Sequence, residues 1–494
     1  MAREEAAWED RQRRGAMLAP GRWVTPWSLS VALTLAFVLA AFAAYYYFLL
    51  GDISEPLSPR PAAFNVPVRL ADAFLHGRLD IANAPDLVHL EFAPYEGKFY
   101  ATDPPMPAIV LLPGVLLFGQ SLNQALVSVV IAGLTAGVVY RLMRGLTDKL
   151  SIQVWMTLLF SFGTTYWWVS ASGASWHLAH TVALLFLFLA IYETLVTKRP
   201  FLAGLFVGAA YWSRLSIGLA FPFFLIMFSD QWLPQSGEQS LLRRIKFKPL
   251  LQLAAGGSVF LILSFIYNYL SFETPLPAAY HHYNSQFDPP PVMFDISYIS
   301  LQIGPPLKAM PIFQSGAPYV LPSWGGLAIW ATTPAFLLAL FAGIKDRRVI
   351  AGGAALLAVS IITIVWSARG FPLDFLPTDF PLGLQYYPFL GLMGYALFVS
   401  IRNGNKLVVA CWSAIIPMAL LYFTLFARPP QFGYQYGIDY YPFLLLLTLS
   451  AIGDKIRWYH VALIILAIIV NLWGVLWIHD FASTNYLGLT WVTW

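Results

Sequence analysis

The sequence predicts an all-α polytopic membrane protein of about thirteen crossings, and three observations carry that prediction. Of its 494 residues, 58% are hydrophobic and only 11% charged, whereas soluble domains carry roughly a quarter charged residues. Thirteen apolar runs punctuate the chain, near 27–50, 121–142, 151–171, 178–196, 201–213, 215–229, 250–271, 325–344, 350–367, 385–401, 406–426, 439–453 and 458–478. Basic residues fall in alternate connections between these runs, which is the charge pattern of a membrane-threaded chain.

Most of the runs are long enough to cross a hydrocarbon core of about 30 Å at 1.5 Å per residue. The mean hydropathy of +0.64 agrees. The 18 Trp and 25 Tyr suit the membrane interface, where one end of the ring is wet and the other dry. A single cysteine, Cys411, excludes an intramolecular disulfide. The small net charge of +4 and the lack of a basic soluble module argue against a nucleic-acid partner. The first 25 residues lack the apolar core of a cleavable signal peptide, so the first run reads as a signal anchor. The chain reads as one integral membrane domain over 1–494, with no separate soluble domain.

Two short runs flank Arg214, and charge decides how to read them. With the N-terminus in the cytoplasm and thirteen crossings, 21 of the 29 Lys and Arg lie inside. Eight lie outside: Arg60, Arg69, Arg78, Lys98, Arg214, Lys308, Arg369 and Arg428. Merging the two short runs into one crossing moves the later basic loops to the wrong side. The positive-inside bias therefore predicts a helical hairpin with Arg214 at its outer turn. A lipid-facing arginine at the centre of a single helix would also cost several kcal/mol, about 2.5–3.5 or more. An odd count puts the C-terminus outside.

The outer connections are the informative ones. Residues 51–120 form a long first loop, and 272–324 a second, rich in Pro, Tyr and His. Within the first, Val66 to Gly77 reads as an amphipathic helix with Arg69, Asp72 and His76 on its polar face. Asp72 is placed to pair with Arg69 one turn away. Pro105 to Gly119 reads as a second helix that lies on or re-enters the membrane surface. Tyr386-Tyr387-Pro388-Phe389 and Tyr440-Tyr441-Pro442-Phe443 echo each other at two helix starts, where Pro suits the first turn.

The first loop holds Leu70-Ala71-Asp72-Ala73-Phe74-Leu75-His76-Gly77-Arg78-Leu79, then Tyr95-Glu96-Gly97-Lys98-Phe99-Tyr100, then Pro104-Pro105-Met106-Pro107-Ala108. Later come Phe162-Gly163-Thr164, Trp176-His177-Leu178-Ala179-His180, Ser213-Arg214, Tyr267-Asn268-Tyr269 with Thr274-Pro275, and Phe432-Gly433-Tyr434-Gln435-Tyr436 with Asp439 and Pro442. In this order the segments resemble the GT-C superfamily of polyprenyl-phosphate-sugar-dependent glycosyltransferases. The nearest branch is the bacterial relatives of protein O-mannosyltransferases and of the lipid A aminoarabinose transferase. The resemblance implies a GT-C-like fold with two interfacial helices in the first outer loop. It also implies a polyprenyl-phosphate-sugar donor, a glycan, lipid or protein acceptor, the bilayer as solvent, and a place in the bacterial cytoplasmic membrane. The chain departs from the pattern at Asn65, where the family carries an acid ahead of the first surface helix, and at Gln435, where it often carries Arg. A non-catalytic relative and a transporter or flippase are the alternatives.

The implied reaction inverts an anomeric carbon. It needs a carboxylate to take the acceptor proton and cations to steady the departing phosphate. The candidate bases are the outer acids Glu91, Asp52 and Asp103. Each also reads as an ordinary loop or helix-end acid. The candidate phosphate contacts are Lys98, Arg214 and Arg369, since a guanidinium matches phosphate geometry. Tyr100, His177, His180, Gln435 and Asp439 are candidate sugar or acceptor contacts. His177 and His180 share a helix face, but two ligands do not make a metal site, so no metal residues are assigned. The resemblance fixes no cofactor and leaves a divalent cation open.

Overall fold

The computed structural model describes residues 27–47, 65–82, 91–232, 246–313, 315–316, 319–323, 326–369, 384–425 and 431–477. Asp52, Arg60, Arg428 and the segment after 478 lie outside the described residues. All thirteen apolar runs contain helix. Among the described residues, eight helices are long and apolar enough to cross a membrane: Leu29–Tyr47, Gln124–Leu146, Ser175–Thr197, Phe247–Phe272, Arg347–Ala368, Leu384–Arg402, Lys406–Thr424 and Trp458–Leu476.

The other five runs are short or broken, each for a visible reason. Leu150–Phe162 stops at Gly163, and Tyr166–Ser172 follows. The Gly163 carbonyl freed by that break accepts a 2.9 Å hydrogen bond from the Thr333 hydroxyl. Thr333 precedes Pro334, which opens a 3-10 helix, Pro334–Phe341. At that second break Asn471 donates to the Thr332 carbonyl at 2.8 Å. Polar side chains thus cover backbone groups that lipid cannot satisfy. Tyr441–Ile452 is preceded by a 3-10 turn, Gln435–Tyr440.

The last two runs are the pair around Arg214. Pro200–Tyr211 ends, the backbone extends at Arg214, and a 3-10 segment Leu215–Ala220 leads into Phe221–Met227. Gln231, beyond the second helix, donates to the carbonyl of Lys198, before the first, at 3.4 Å. The two ends meet, so the chain reverses at Arg214, as the charge bias requires. Asp230 and Lys406 pair beside that junction. Three segments assigned to the same side by charge therefore come together.

Both expected first-loop helices form, over Val66–Leu75 and Met106–Phe118, and they pack on each other. Val68, Leu70, Leu111 and Val115 join Leu178, Val182 and Trp212 in one buried cluster. The polar face is wired differently from the expected Asp72–Arg69 pair. Arg69 donates to Asn65 at 3.1 Å, and Asp72 accepts from Gln120 at 2.8 Å. The Gln120 contact ties the two surface helices together.

Between those helices lies an antiparallel hairpin, Phe92–Tyr95 with Lys98–Ala101. Its two-residue turn holds Glu96 at φ 48° and Gly97 at φ 73°. Positive φ at both central residues is the primed turn that matches strand twist.

Pro200–Tyr211 and Phe247–Phe272 approach each other backbone to backbone. A Cβ on Gly204 would stand 2.1 Å from the Leu253 carbonyl, and one on Gly256 would stand 2.1 Å from the Phe201 carbonyl. Gly204 and Gly208 form the small-xxx-small spacing that lets membrane helices approach backbone to backbone. Gly204→Leu is expected to cost about 3 kcal/mol or more through overpacking. The loss would be read as a lower melting temperature of the detergent-solubilised chain, with Gly352→Leu, at a position open to its surroundings, as the neutral control.

Candidate functional site

The buried polar side chains of the predicted outer ends converge. The Ser175–Tyr192 helix begins after an extended residue, Ala174, and presents His177 and His180 one turn apart. The 3-10 turn Gln435–Tyr440 lies against it and offers a partner to each. His177 Nε2 meets Gln435 Oε1 at 3.2 Å, and His180 Nδ1 meets Asp439 Oδ1 at 2.7 Å. The second nitrogen of His177 engages the Ser172 hydroxyl at 2.7 Å. Both histidines are buried.

Asp439 is fully buried. Besides His180, its carboxylate accepts from the Ser216 hydroxyl at 2.6 Å and from the Tyr422 hydroxyl. The Tyr422 and Ser216 hydroxyl oxygens stand 2.7 Å apart on that carboxylate. Arg214 Nε stands 3.7 Å from the same carboxylate. Asp439 and Glu193, the latter clasped by Arg199 at 2.6 and 2.7 Å, are both acids buried among the helices.

Arg214 reaches the other way too. Its Nη1 lies 3.7 Å from Asp103, and its own side chain is 11% exposed. Both contacts exceed the 2.7–3.2 Å of a charge-bearing hydrogen bond, about 2.7–2.9 Å at its best. The Nε atom makes no hydrogen bond. Asp103 accepts from the Tyr280 hydroxyl at 2.9 Å, which docks the second outer loop on the first. Burial and the Asp103 carboxylate push the Tyr280 hydroxyl well up, so it remains a donor.

Asp103 also lines a cleft with Glu91 and Ser175, walled by Val66, Leu70 and Pro107. The roof is the two first-loop helices and the floor is the start of the histidine-bearing helix. Glu91 is 6% exposed, and neither carboxylate oxygen makes a hydrogen bond. Burial drives its proton affinity well above the usual carboxylate range, and Asp103 adds to the effect. The neighbouring Ser175 hydroxyl works against the rise as a donor, at a looser reach than a well-formed hydrogen bond. A buried carboxylate without hydrogen-bond partners, sharing its cleft with the Asp103 that pairs with Arg214, is chemically equipped for proton transfer.

Of the eleven candidates, the structure brings Arg214, Asp103, His180 and Asp439 into one cluster. Glu91 shares the cleft with Asp103, and His177 joins Gln435 next door. Lys98 is exposed at the hairpin tip. Tyr100 packs its ring 5.0 Å from Phe272 inside an aromatic group with Tyr95 and His282. Arg369 lies exposed over the Phe313 ring, 4.8 Å from its centroid. Among the described residues no group of three metal-ligating side chains is gathered.

Sequence reasoning passed over Ser175, Ser216, Tyr280 and Tyr422. Tyr422 lies in an apolar run, where a tyrosine reads as an interface anchor. Tyr280 is one of several rings in the Tyr- and His-rich loop 272–324, where its neighbour His282 stacks on Phe272. Ser216, two residues past Arg214, had the only local signal: a small polar residue at a helix break.

No family model matches the chain, no curated protein matches it, and no solved structure matches its fold.

Proposed function

We propose that this chain is a lipid-linked-sugar glycosyltransferase of the bacterial cytoplasmic membrane. Its motifs, from the first outer loop to Asp439, resemble the GT-C transferases, and the same segments supply the site. The observation that carries the reading is Glu91. It is a buried carboxylate with both oxygens free of hydrogen bonds, in a cleft roofed by two surface helices and shared with Asp103, which pairs with Arg214. In this reading Glu91 takes the acceptor hydroxyl's proton as that oxygen attacks the anomeric carbon. The bond from that carbon to the phosphate oxygen breaks, with inversion, and Arg214 faces the oxyanion that leaves. The raised proton affinity of Glu91 suits a general base.

Thirteen crossings follow when the five short or broken helices are added to the eight long ones. The N-terminus then lies in the cytoplasm, the C-terminus outside, and the Glu91 cleft on the outer face. Asn65 fills the place where the family carries an acid. Its side chain accepts from Arg69 and it precedes the first surface helix, a structural task that leaves the base role to Glu91. Asp439, saturated by its neighbours, is assigned to holding Arg214 and His180 in place.

The second reading, a transporter, draws on Asp439 and His180 themselves, because ionisable pairs buried among membrane helices mark transport paths. One comparison separates the two. Purified chain in lipid vesicles is supplied with polyprenyl-phosphate sugars and hydroxyl acceptors, and release of polyprenyl phosphate is followed. The transferase reading expects release that depends on acceptor. Counterflow of a labelled solute in sealed vesicles, with no release, would replace it with the transporter.

A further inference from the structure

Arg214 is a single guanidinium between two acids, and the two are held very differently. Asp439 is fully buried, accepts from Ser216 and Tyr422, and is paired with His180. It has no room to leave. The Asp103 side chain is 13% exposed, faces the open cleft, and accepts from Tyr280. Its contact with Arg214 is an ion pair at 3.7 Å without a hydrogen bond.

Charge counting sharpens the contrast. Asp103 and Asp439 already supply two carboxylates to one guanidinium. A phosphate added on top of these would bring another anion into a low-dielectric cleft, where like charges repel strongly. A phosphate diester and a carboxylate each carry one negative charge. Exchanging one for the other at Arg214 leaves the balance unchanged. A phosphate also offers two oxygens to the guanidinium fork, the geometry that Asp103 does not achieve.

We infer that Asp103 is a built-in stand-in anion, holding the place at Arg214 that a lipid-borne phosphate takes on binding. This rests on the transferase reading for the prenyl chain, and on the Arg214 geometry alone for the phosphate. It makes Asp103 a competitor of the ligand, which gives its removal an unusual sign. Asp103→Asn keeps the shape and the Tyr280 contact but deletes the competing charge, so phosphate binding tightens.

The experiment measures binding of a polyprenyl methyl phosphate, a sugar-free diester that carries one charge, to the full chain in nanodiscs, with the matching polyprenol as the uncharged control. Asp103→Asn is expected to bind the phosphate about tenfold more tightly than the parent and the polyprenol no better. Asp72→Asn removes the same charge from the neighbouring surface helix and is expected to stay within about twofold. Unchanged or weaker binding by Asp103→Asn overturns the inference, as does an equal gain from Asp72→Asn or failure of both chains to bind any phosphate. Phosphatidate and inorganic phosphate are tested as competitors. If either shows the same gain, the exchange at Arg214 stands and the prenyl-donor reading falls. A gain in binding by a chain that releases nothing from polyprenyl-phosphate sugars likewise supports the exchange and removes the transferase.

Discussion

Glu91→Gln is expected to lower the release of polyprenyl phosphate by about 10²- to 10⁴-fold, the usual contribution of a positioned general base. The same change is expected to make the protein more stable at neutral pH. Burial raises the proton affinity of Glu91 in the folded chain. A raised folded value means that the fold holds this proton more tightly than the unfolded chain does. Stability from that proton is complete below the ordinary carboxylate range, and it is lost as pH rises through the raised folded value. At pH 7 to 8 the parent therefore bears the cost of a buried carboxyl group with no partner, about 1–3 kcal/mol. Gln carries no charge and escapes the titration. Melting curves of parent and variant should diverge as pH rises from 4 to 8, with the variant higher. A variant that loses turnover and melts below the parent throughout would show that Glu91 supports the fold, and it would remove the base assignment.

The opposing signs bear on how much was legible beforehand. Periodicity and charge located every apolar run, because burial in lipid imposes a length and a polarity that a sequence displays openly. The Arg214 turn was legible for the same reason: eleven basic residues in the later loops changed sides with it. The hairpin at Phe92–Ala101 was missed although Glu96-Gly97 is a turn signal. Its strands are four residues each, too short for alternation to stand out. At the site, charge type was legible and partnership was not. His180 and Asp439 are 259 residues apart in sequence, and nothing local to either marks the other. Tyr386-Tyr387-Pro388 and Tyr440-Tyr441-Pro442 show the same limit. Both open helices with Pro in the first turn, yet Tyr441 is fully buried while Tyr387 is exposed. A motif fixes local geometry, and the surrounding helices decide what it touches.

Asp439→Ala is expected to be the most destabilising single change near the site, at about 3–5 kcal/mol, the range for removing one partner of a buried charge pair. The deleted carboxylate is the meeting point of four separate segments. It joins His180 on one helix, Ser216 and Arg214 on the hairpin turn, and Tyr422 at the end of Lys406–Thr424 to its own 3-10 turn. Without it, the Arg214 guanidinium keeps Asp103 as its acidic neighbour, and three further donors face an empty space. Asp439→Asn keeps the shape and one acceptor oxygen, so it should cost less than the alanine. It still leaves the arginine short of one charge. The contrast with Asp103 follows from exposure. Asp103 opens on the cleft, where water can take over its contacts, so Asp103→Asn should change stability by less than about 1 kcal/mol. Denaturation of the three variants in one detergent gives the order directly. If Asp103→Asn proves as costly as Asp439→Ala, then Asp103 is a fixed strut, and it cannot yield Arg214 to a phosphate.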